Sequence, residues 1–390
     1  MDLIPFESVQ IGATISSKVM CWNGPIAPLL GWTSIAVRTI TDEGNTSMQT
    51  VTTIGLDLAK SVLQVHGVDG EGVVLIRRAL RRSQVLDFFR ALPPCLVGLE
   101  ACSSSHYWAR EIRACGHQVR MIPPIYVKAY VKRGKTDAAD AEAICEAVTR
   151  PTMRFVPIKD AEQQAAGMLL RTRDLLVRQR SQLANAFRAQ MSELGIISAL
   201  GMASVAKLAD KVRDPDVSLP PVARLALLEM AEQIDVLSHR IERLGQEIQA
   251  AVKADETARR LTSIPGVGPL IAATVRATVH DIEGFKTSRD FAAWLGLTPR
   301  LLSSGGKDKL GSISKQGNRQ LRTLLVVGAS SIIKQAKRGV PLPAWLTGLM
   351  ARKPYKLVAV ALANKTARII WALLAKGGFY RKPAAAPAVA

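Results

Sequence analysis

The residues with the clearest chemical potential lie in Lys135-Thr-Asp-Ala-Ala-Asp-Ala-Glu-Ala-Ile144, where Asp137 and Asp140 stand three residues apart at the start of a predicted helix. Residues at i and i+3 are neighbours on a helix surface. Two carboxylates so placed repel unless a cation sits between them, the arrangement that Mg2+ sites of phosphoryl-transfer enzymes use. The plainer alternative is that Thr136 caps the helix and the acids complement its dipole. Two more acids bear on the choice. Asp57 interrupts the apolar run Ile54-Gly-Leu-Asp-Leu58, where a core-facing carboxylate is expensive unless paired or metal-bound. Glu100 ends the run Leu96-Val-Gly-Leu-Glu100. Each acid alone reads as a polar strand end; together they make four carboxylates that a suitable fold would bring to one place.

A second chemical element is Leu302-Ser-Ser-Gly-Gly-Lys-Asp-Lys309. Glycines let backbone approach closely, and Lys307 and Lys309 favour both an alkoxide and a nearby phosphate, so a serine here is a candidate nucleophile. The alternative is a phosphate-binding loop with an idle hydroxyl.

The elements that must position these groups follow from the patterning. Short alternating runs at 52–58, 61–68 and 73–80, separated by tight punctuation, predict a three-stranded antiparallel meander. A helix at 83–92, a buried strand at 95–100, a helix around 106–114, a strand at 118–122 and a helix after Thr136 complete an order β-β-β-α-β-α-β-α, that of a ribonuclease-H-like domain. Helices are expected at 161–194 and along the seam Met230, Ile234, Leu237, Ile241, Leu244, Ile248, Ala251, whose spacings alternate 4 and 3. Between them, 195–221 reads as a loose linker broken by Asp214-Pro215 and Pro220-Pro221. Whether these helices pair with each other or with a second subunit is open. Next, Ile264-Pro-Gly-Val-Gly268 before a small-residue helix matches a helix-hairpin-helix turn, in which Gly266 and Gly268 offer backbone N–H groups to a phosphate. A short helix at 287–295 follows, then the segment Ile313-Ser-Lys-Gln-Gly-Asn-Arg-Gln-Leu-Arg322, with Ser314 expected to cap a long helix, and an Ala-rich helix at 354–374.

Composition bounds the partners. The 390 residues hold 52 Lys and Arg against 32 Asp and Glu, a net charge of +20, which suits a chain that neutralises phosphates. The cysteines, five in number and without Cys-x-x-Cys pairs, support neither a disulfide framework nor a zinc site. Apolar runs such as 323–333 are too short to predict a membrane span. Residues 1–47 carry a net charge of −2 and no clear period, and are expected to be a non-native or disordered extension before a natural start at Met48.

Taken in order, these motifs resemble the DEDD transposases of bacterial insertion sequences, the "IS one-ten" group related to Piv-type DNA invertases. The resemblance covers about residues 50–380 and rests on Ile54-Gly-Leu-Asp57, Gly98-Leu-Glu100, Lys135-Thr-Asp-Ala-Ala-Asp140, Ile264-Pro-Gly-Val-Gly268, Gly296-Leu-Thr-Pro299, Ser304-Gly-Gly306 and Ile313-Ser-Lys-Gln-Gly-Asn318. It implies an α/β plus α architecture: a RuvC-like, ribonuclease-H-like catalytic domain at 48–155, a helical coiled-coil arm at 156–256, and a mainly helical C-terminal domain with the helix-hairpin-helix and serine at 257–380, followed by a disordered tail at 381–390. It implies Mg2+ or Mn2+ on Asp57, Glu100, Asp137 and Asp140, and Ser304, with Ser303 adjacent, as the residue that joins covalently to DNA. Lys135, Gly266, Gly268, Lys307, Lys309, Lys315, Arg319 and Arg322 are then expected to contact nucleic acid. DNA, a guide RNA encoded by the element and a homodimer or homotetramer are the implied partners, in a cytoplasmic, nucleoid-associated setting. Two rivals stay open: a RuvC-like junction nuclease in which the serine is incidental, and a non-catalytic nucleic-acid-binding protein in which the acids are structural.

Overall fold

The computed structural model describes residues 50–132, 136–302, 309–336 and 338–381; the expected N-terminal extension, and all of the expected tail but Arg381, lie outside them. Strands β1 (Thr53–Leu58), β2 (Val62–Val68) and β3 (Val74–Arg81) form the expected meander. Helix α1 (Val85–Arg90), β4 (Leu96–Glu100), α2 (Ser105–Ala114), β5 (Gln118–Ile122), a one-turn α3 (Pro124–Val127) and α4 (Asp137–Val148) follow. The sheet order is β3-β2-β1-β4-β5, antiparallel across the meander and parallel from β1 through β4 to β5.

Both faces of this sheet are covered, as a parallel core requires. Ile54, Leu56, Val97 and Leu99 point to one side and pack with Val85, Phe88 and Phe89 of α1 and Trp108, Ala109 and Ile112 of α2. Alternation then sends Gly55, Asp57, Gly98 and Glu100 to the opposite face, the one that α4 covers with Ile144 and Val148.

The middle of the chain is α5 (Ala161–Glu193), α6 (Met202–Arg213) and α7 (Pro221–Ala254). The two long helices pair with each other within one chain. Helix α6 corrects the expected linker: Val205, Leu208, Ala209 and Val212 form an apolar stripe that packs on Phe187 and Met191 of α5 and Leu227 and Ala231 of α7. At the other end of the pair, Leu170 and Ile248 pack with Ala277 of the C-terminal region.

Where α5 leaves the sheet, Arg110 Nη1 donates to the Lys159 carbonyl (2.7 Å) and to Gln164 Oε1 (3.0 Å), and the Lys159 N–H donates to His106 Nδ1 (3.2 Å). Burial, and then the charges of Lys159, His280, Arg110 and Arg171, hold His106 down at about 4. A histidine depressed in the native state binds fewer protons folded than unfolded. Its contribution is therefore present above the ordinary 6.5 and is lost as pH falls through about 4. Between those values the melting temperature of wild type should fall more steeply than that of His106→Gln; parallel melting curves would rule out this coupling.

The C-terminal region is mainly helical: α8 (Glu256–Thr262), α9 (Pro269–Thr278), α10 (Ser288–Trp294), a hairpin of β6 (Pro299–Leu301) and β7 (Leu310–Ile313), then α11 (Arg319–Ala336), α12 (Ala344–Arg352) and α13 (Tyr355–Lys376). Its core joins Leu261, Ile271, Phe291, Leu321, Leu325, Ala363 and Ile370. Helix α13 corrects the expectation about membrane spans, because by length and composition it is long and apolar enough to cross a bilayer. Its Val358, Ala359, Ala363, Ala367 and Ile370 are instead spent on this core.

Candidate active site

Helix α4 lies unusually close to the sheet, and two glycines allow it. Gly55 and Gly98 are direct partners across β1 and β4. A Cβ on Gly55 would stand 2.1 Å from the Ala141 carbonyl oxygen and 2.4 Å from the Cys145 nitrogen, and one on Gly98 would stand 2.8 Å from Val148 Cβ. The helix runs opposite to β1, since Cys145 Sγ reaches back to the Thr53 carbonyl (3.8 Å) while Ala141 lies over Gly55. Going back one turn from Ala141 to Asp137 covers about 6 Å at ~1.5 Å per residue. Going forward from Gly55 to Asp57 covers about 6.6 Å at ~3.3 Å per residue. The two steps match, so the first turn of α4 meets the ends of β1 and β4.

Electrostatics report the same meeting. The Asp57 carboxyl is pushed up from 3.8 to about 6, first by burial, then by the charges of Asp140, Asp137 and Glu100, against a lowering hydrogen bond from the Leu58 backbone. All three of the other sequence-predicted acids are therefore close enough to repel Asp57. Thr136 caps α4, its Oγ1 accepting from the Ala139 N–H at 3.2 Å, as the plainer sequence reading of this segment expects. The neighbouring Glu142 is turned elsewhere, to Lys132 (2.8 Å) and Arg77 (3.9 Å).

Among the described residues, no group of three or more His, Cys, Asp or Glu side chains is so placed that it could hold a metal ion as it stands. Carboxylates that repel one another do not close on a point by themselves. The donor set nevertheless fits a hard divalent cation, because Mg2+ takes oxygen ligands and commonly uses one or two carboxylates together with waters and substrate phosphate. Burial pushes the Cys145 thiol of α4 up to about 11.

Ser304, with Ser303 and Lys307, lies outside the described residues, as does Lys135. The ends that hold the serine loop are described. The Leu302 N–H donates to the Lys309 carbonyl (2.8 Å), the Ser314 N–H to the Thr298 carbonyl (2.9 Å) and the Lys315 N–H to the Gly296 carbonyl (3.1 Å). Arg322 Nη1 donates to the carbonyls of Leu295 (2.9 Å) and Gln316 (2.7 Å), fastening both flanks of the hairpin to α11. Ser314 does not cap that helix. Lys315 and Gly317 both have left-handed backbone (φ 56° and 69°), which prevents a helix from starting at 314, and Asn318 is the cap, its Oδ1 accepting from Leu321 at 2.9 Å.

Comparison with known proteins places the chain in a family. A DEDD transposase model of the IS110 type matches residues 54–196, and a model described as the transposase IS116/IS110/IS902 family matches residues 258–340. A probable family 20 transposase of Pseudomonas aeruginosa is 50% identical over 331 residues, 84% of this chain and 98% of its own length. The chain belongs to the IS116/IS110/IS902 transposase family. The transposase for insertion sequence element IS1328 of Yersinia enterocolitica is 39% identical over 336 residues (86% of this chain, all of its own length). The transposase for insertion sequence element IS1111A of Coxiella burnetii is 39% identical over 340 residues (86% and 93%).

In this transposase the remaining sequence-predicted contacts divide by surroundings. Gly266 (φ 79°) is pressed against α11, where a Cβ would meet Ile332 Cδ1 at 2.7 Å and the Gly328 carbonyl at 3.0 Å. Gly268 caps α9 and has open space around it. Lys309, Lys315 and Arg319 are exposed. Sequence reasoning passed over the glycine pair although its signal was present: Gly55-Leu-Asp57 and Gly98-Leu-Glu100 repeat one glycine-x-acid spacing on two strands. On a strand that spacing puts the glycine and the acid on one face.

Proposed function

We propose that this transposase cuts and rejoins DNA strands through a covalent serine intermediate at a two-part site. One part is the ribonuclease-H-like domain at 48–155 and the other the C-terminal domain at 257–380, with the arm at 156–256 between them. What supports the reading is the close seat of α4 on Gly55 and Gly98, which brings the first turn holding Asp137 and Asp140 to the strand ends that carry Asp57 and Glu100. Asp57, Glu100, Asp137 and Asp140 would hold a divalent cation, Mg2+ or Mn2+, which when bound supplies Lewis-acid charge to a scissile phosphate. Ser304 Oγ gives up its proton and attacks phosphorus. The bond to the leaving DNA oxygen breaks, that oxygen takes up a proton, and a phosphoserine ester keeps the bond energy. A second DNA hydroxyl then attacks the ester, releasing Ser304 and joining exchanged strands. Gly268 and the exposed Lys309, Lys315 and Arg319 hold backbone phosphates, and Arg322 fixes the base of the serine hairpin.

We take the complete site to form between subunits of a dimer or tetramer, the acids of one subunit meeting the serine of another. An RNA encoded beside the reading frame would pair with element ends and target. Its mark would be an untranslated flanking stretch with loops complementary to both.

The chemistry is tested by trapping. Incubation with labelled element-end DNA and Mg2+ should give a protein–DNA adduct that Ser304→Ala removes and Ser303→Ala retains. Hydrolysis that survives both substitutions would instead make the protein a junction nuclease.

A further inference from the structure

Residues 309–381 contain fourteen Lys and Arg and no Asp or Glu. Four of those cations gather on one groove of about 780 Å³ along the outer face of α13. Lys365, Arg368 and Lys376 follow helical spacing, and Arg381 arrives from beyond the helix. Lys365 Nζ sits 4.0 Å from the centre of the Trp345 ring, and Arg368 Nε donates to Ser288 Oγ at 3.5 Å. Among the described residues none of the four has a carboxylate within ion-pair distance. Gly377 and Gly378 are both left-handed (φ 74° and 83°), which stops the helix and folds the chain back, so that the Tyr380 N–H donates to Ser263 Oγ at 2.9 Å. This return leaves Phe379 on the groove with 64% of its surface exposed.

A row of cations with no carboxylate beside them, ending at an exposed aromatic ring, fits one ligand class. The stretch from Lys365 to Lys376 spans about 16 Å of helix at ~1.5 Å per residue, equal to about five nucleotides of a stacked strand at ~3.4 Å each. Cations of this kind track phosphates. A duplex keeps its base faces stacked inside and offers Phe379 nothing, whereas an unpaired base presents a π-face to the ring. We infer that the α13 groove binds a single-stranded nucleic acid, its phosphates on Lys365, Arg368, Lys376 and Arg381 and one base stacked on Phe379. The inference rests on the family's being a transposase and is independent of the carboxylate and serine chemistry.

The test uses the full chain without Mg2+ and three labelled probes of equal length: single-stranded RNA, single-stranded DNA and duplex DNA. Phe379→Ala should weaken single-strand binding by about tenfold, the size of one lost base stack, and leave the duplex unchanged. Lys376→Gln with Arg381→Gln should lower the salt slope of single-strand binding by about 1.4, two phosphate contacts at ~0.7 each. Tighter binding of RNA assigns the groove to a transcript and tighter binding of DNA to an opened element end; both support it. Unchanged affinity in both variants, or equal losses for single strand and duplex, overturns it. Asp57→Asn serves as the separating control: it should lose strand transfer and keep groove binding, so a failure of the catalytic reading leaves this result standing.

Discussion

Asp57→Asn is expected to lower strand transfer by a factor of about 10³ or more while raising the melting temperature of the metal-free protein at neutral pH. The first effect follows from removing one anionic ligand from a site whose work is charge compensation at phosphorus. The second follows from the native environment. Burial and three neighbouring acids push Asp57 from 3.8 to about 6, so the folded chain holds that proton more tightly than the unfolded chain does. Stability from this group is therefore fully present below pH 3.8 and is lost as pH rises through about 6. At neutral pH the ionised carboxyl is a net cost, and the amide removes it. Added Mg2+ should raise the melting temperature of wild type at about pH 7.5 and should do so much less in the variant. A variant that is inactive but also less stable without metal would mean that Asp57 is a structural residue, and the site would have to be sought elsewhere.

The second large effect is expected from a single methyl group. In Gly55→Ala the new Cβ would stand 2.1 Å from the Ala141 carbonyl oxygen and 2.4 Å from the Cys145 nitrogen. Both are backbone atoms of α4, so no side chain can turn aside; the helix must lift or the strand must bend. Overpacking of this kind costs about 3 kcal/mol or more. Lifting α4 also carries Asp137 and Asp140 away from β1, so strand transfer should fall even where the protein still folds. Gly348→Ala is the matched control. It lies in α12 with nothing within 4 Å of the added carbon, and alanine should stabilise that helix by up to about 1 kcal/mol. Equal melting temperatures for the two variants would show that the close approach of α4 is not what holds the acids.

Much of this was legible in the chain because the sheet half obeys simple periods. Alternation and tight turns placed all five strands, and the three-residue interval placed Asp137 and Asp140 on α4. What escaped has identifiable causes. The apolar stripe of α6 is short and lies between Gly201 and Asp214-Pro215, so breakers hid it. The hairpin of β6 and β7 has strands of three and four residues, with no buried position to leave an alternating trace. The start of α11 was misplaced because the left-handed conformation of Lys315 is unusual for a residue with a side chain. Gly55 and Gly98 carry no visible mechanism in the sequence, since their use depends on a helix about 90 and about 50 residues further on respectively.

The long pair α5 and α7 leaves the sheet, reaches its apolar cap at α6 and comes back, so that Leu170 near one end and Ile248 near the other share a contact with Ala277. A 33-residue helix is about 50 Å long at ~1.5 Å per residue. The excursion is thus a parenthesis in the chain: it opens and closes at the same spot, and the two working halves touch its brackets rather than its contents. Its length is free to vary by matched turns without altering what lies at either end.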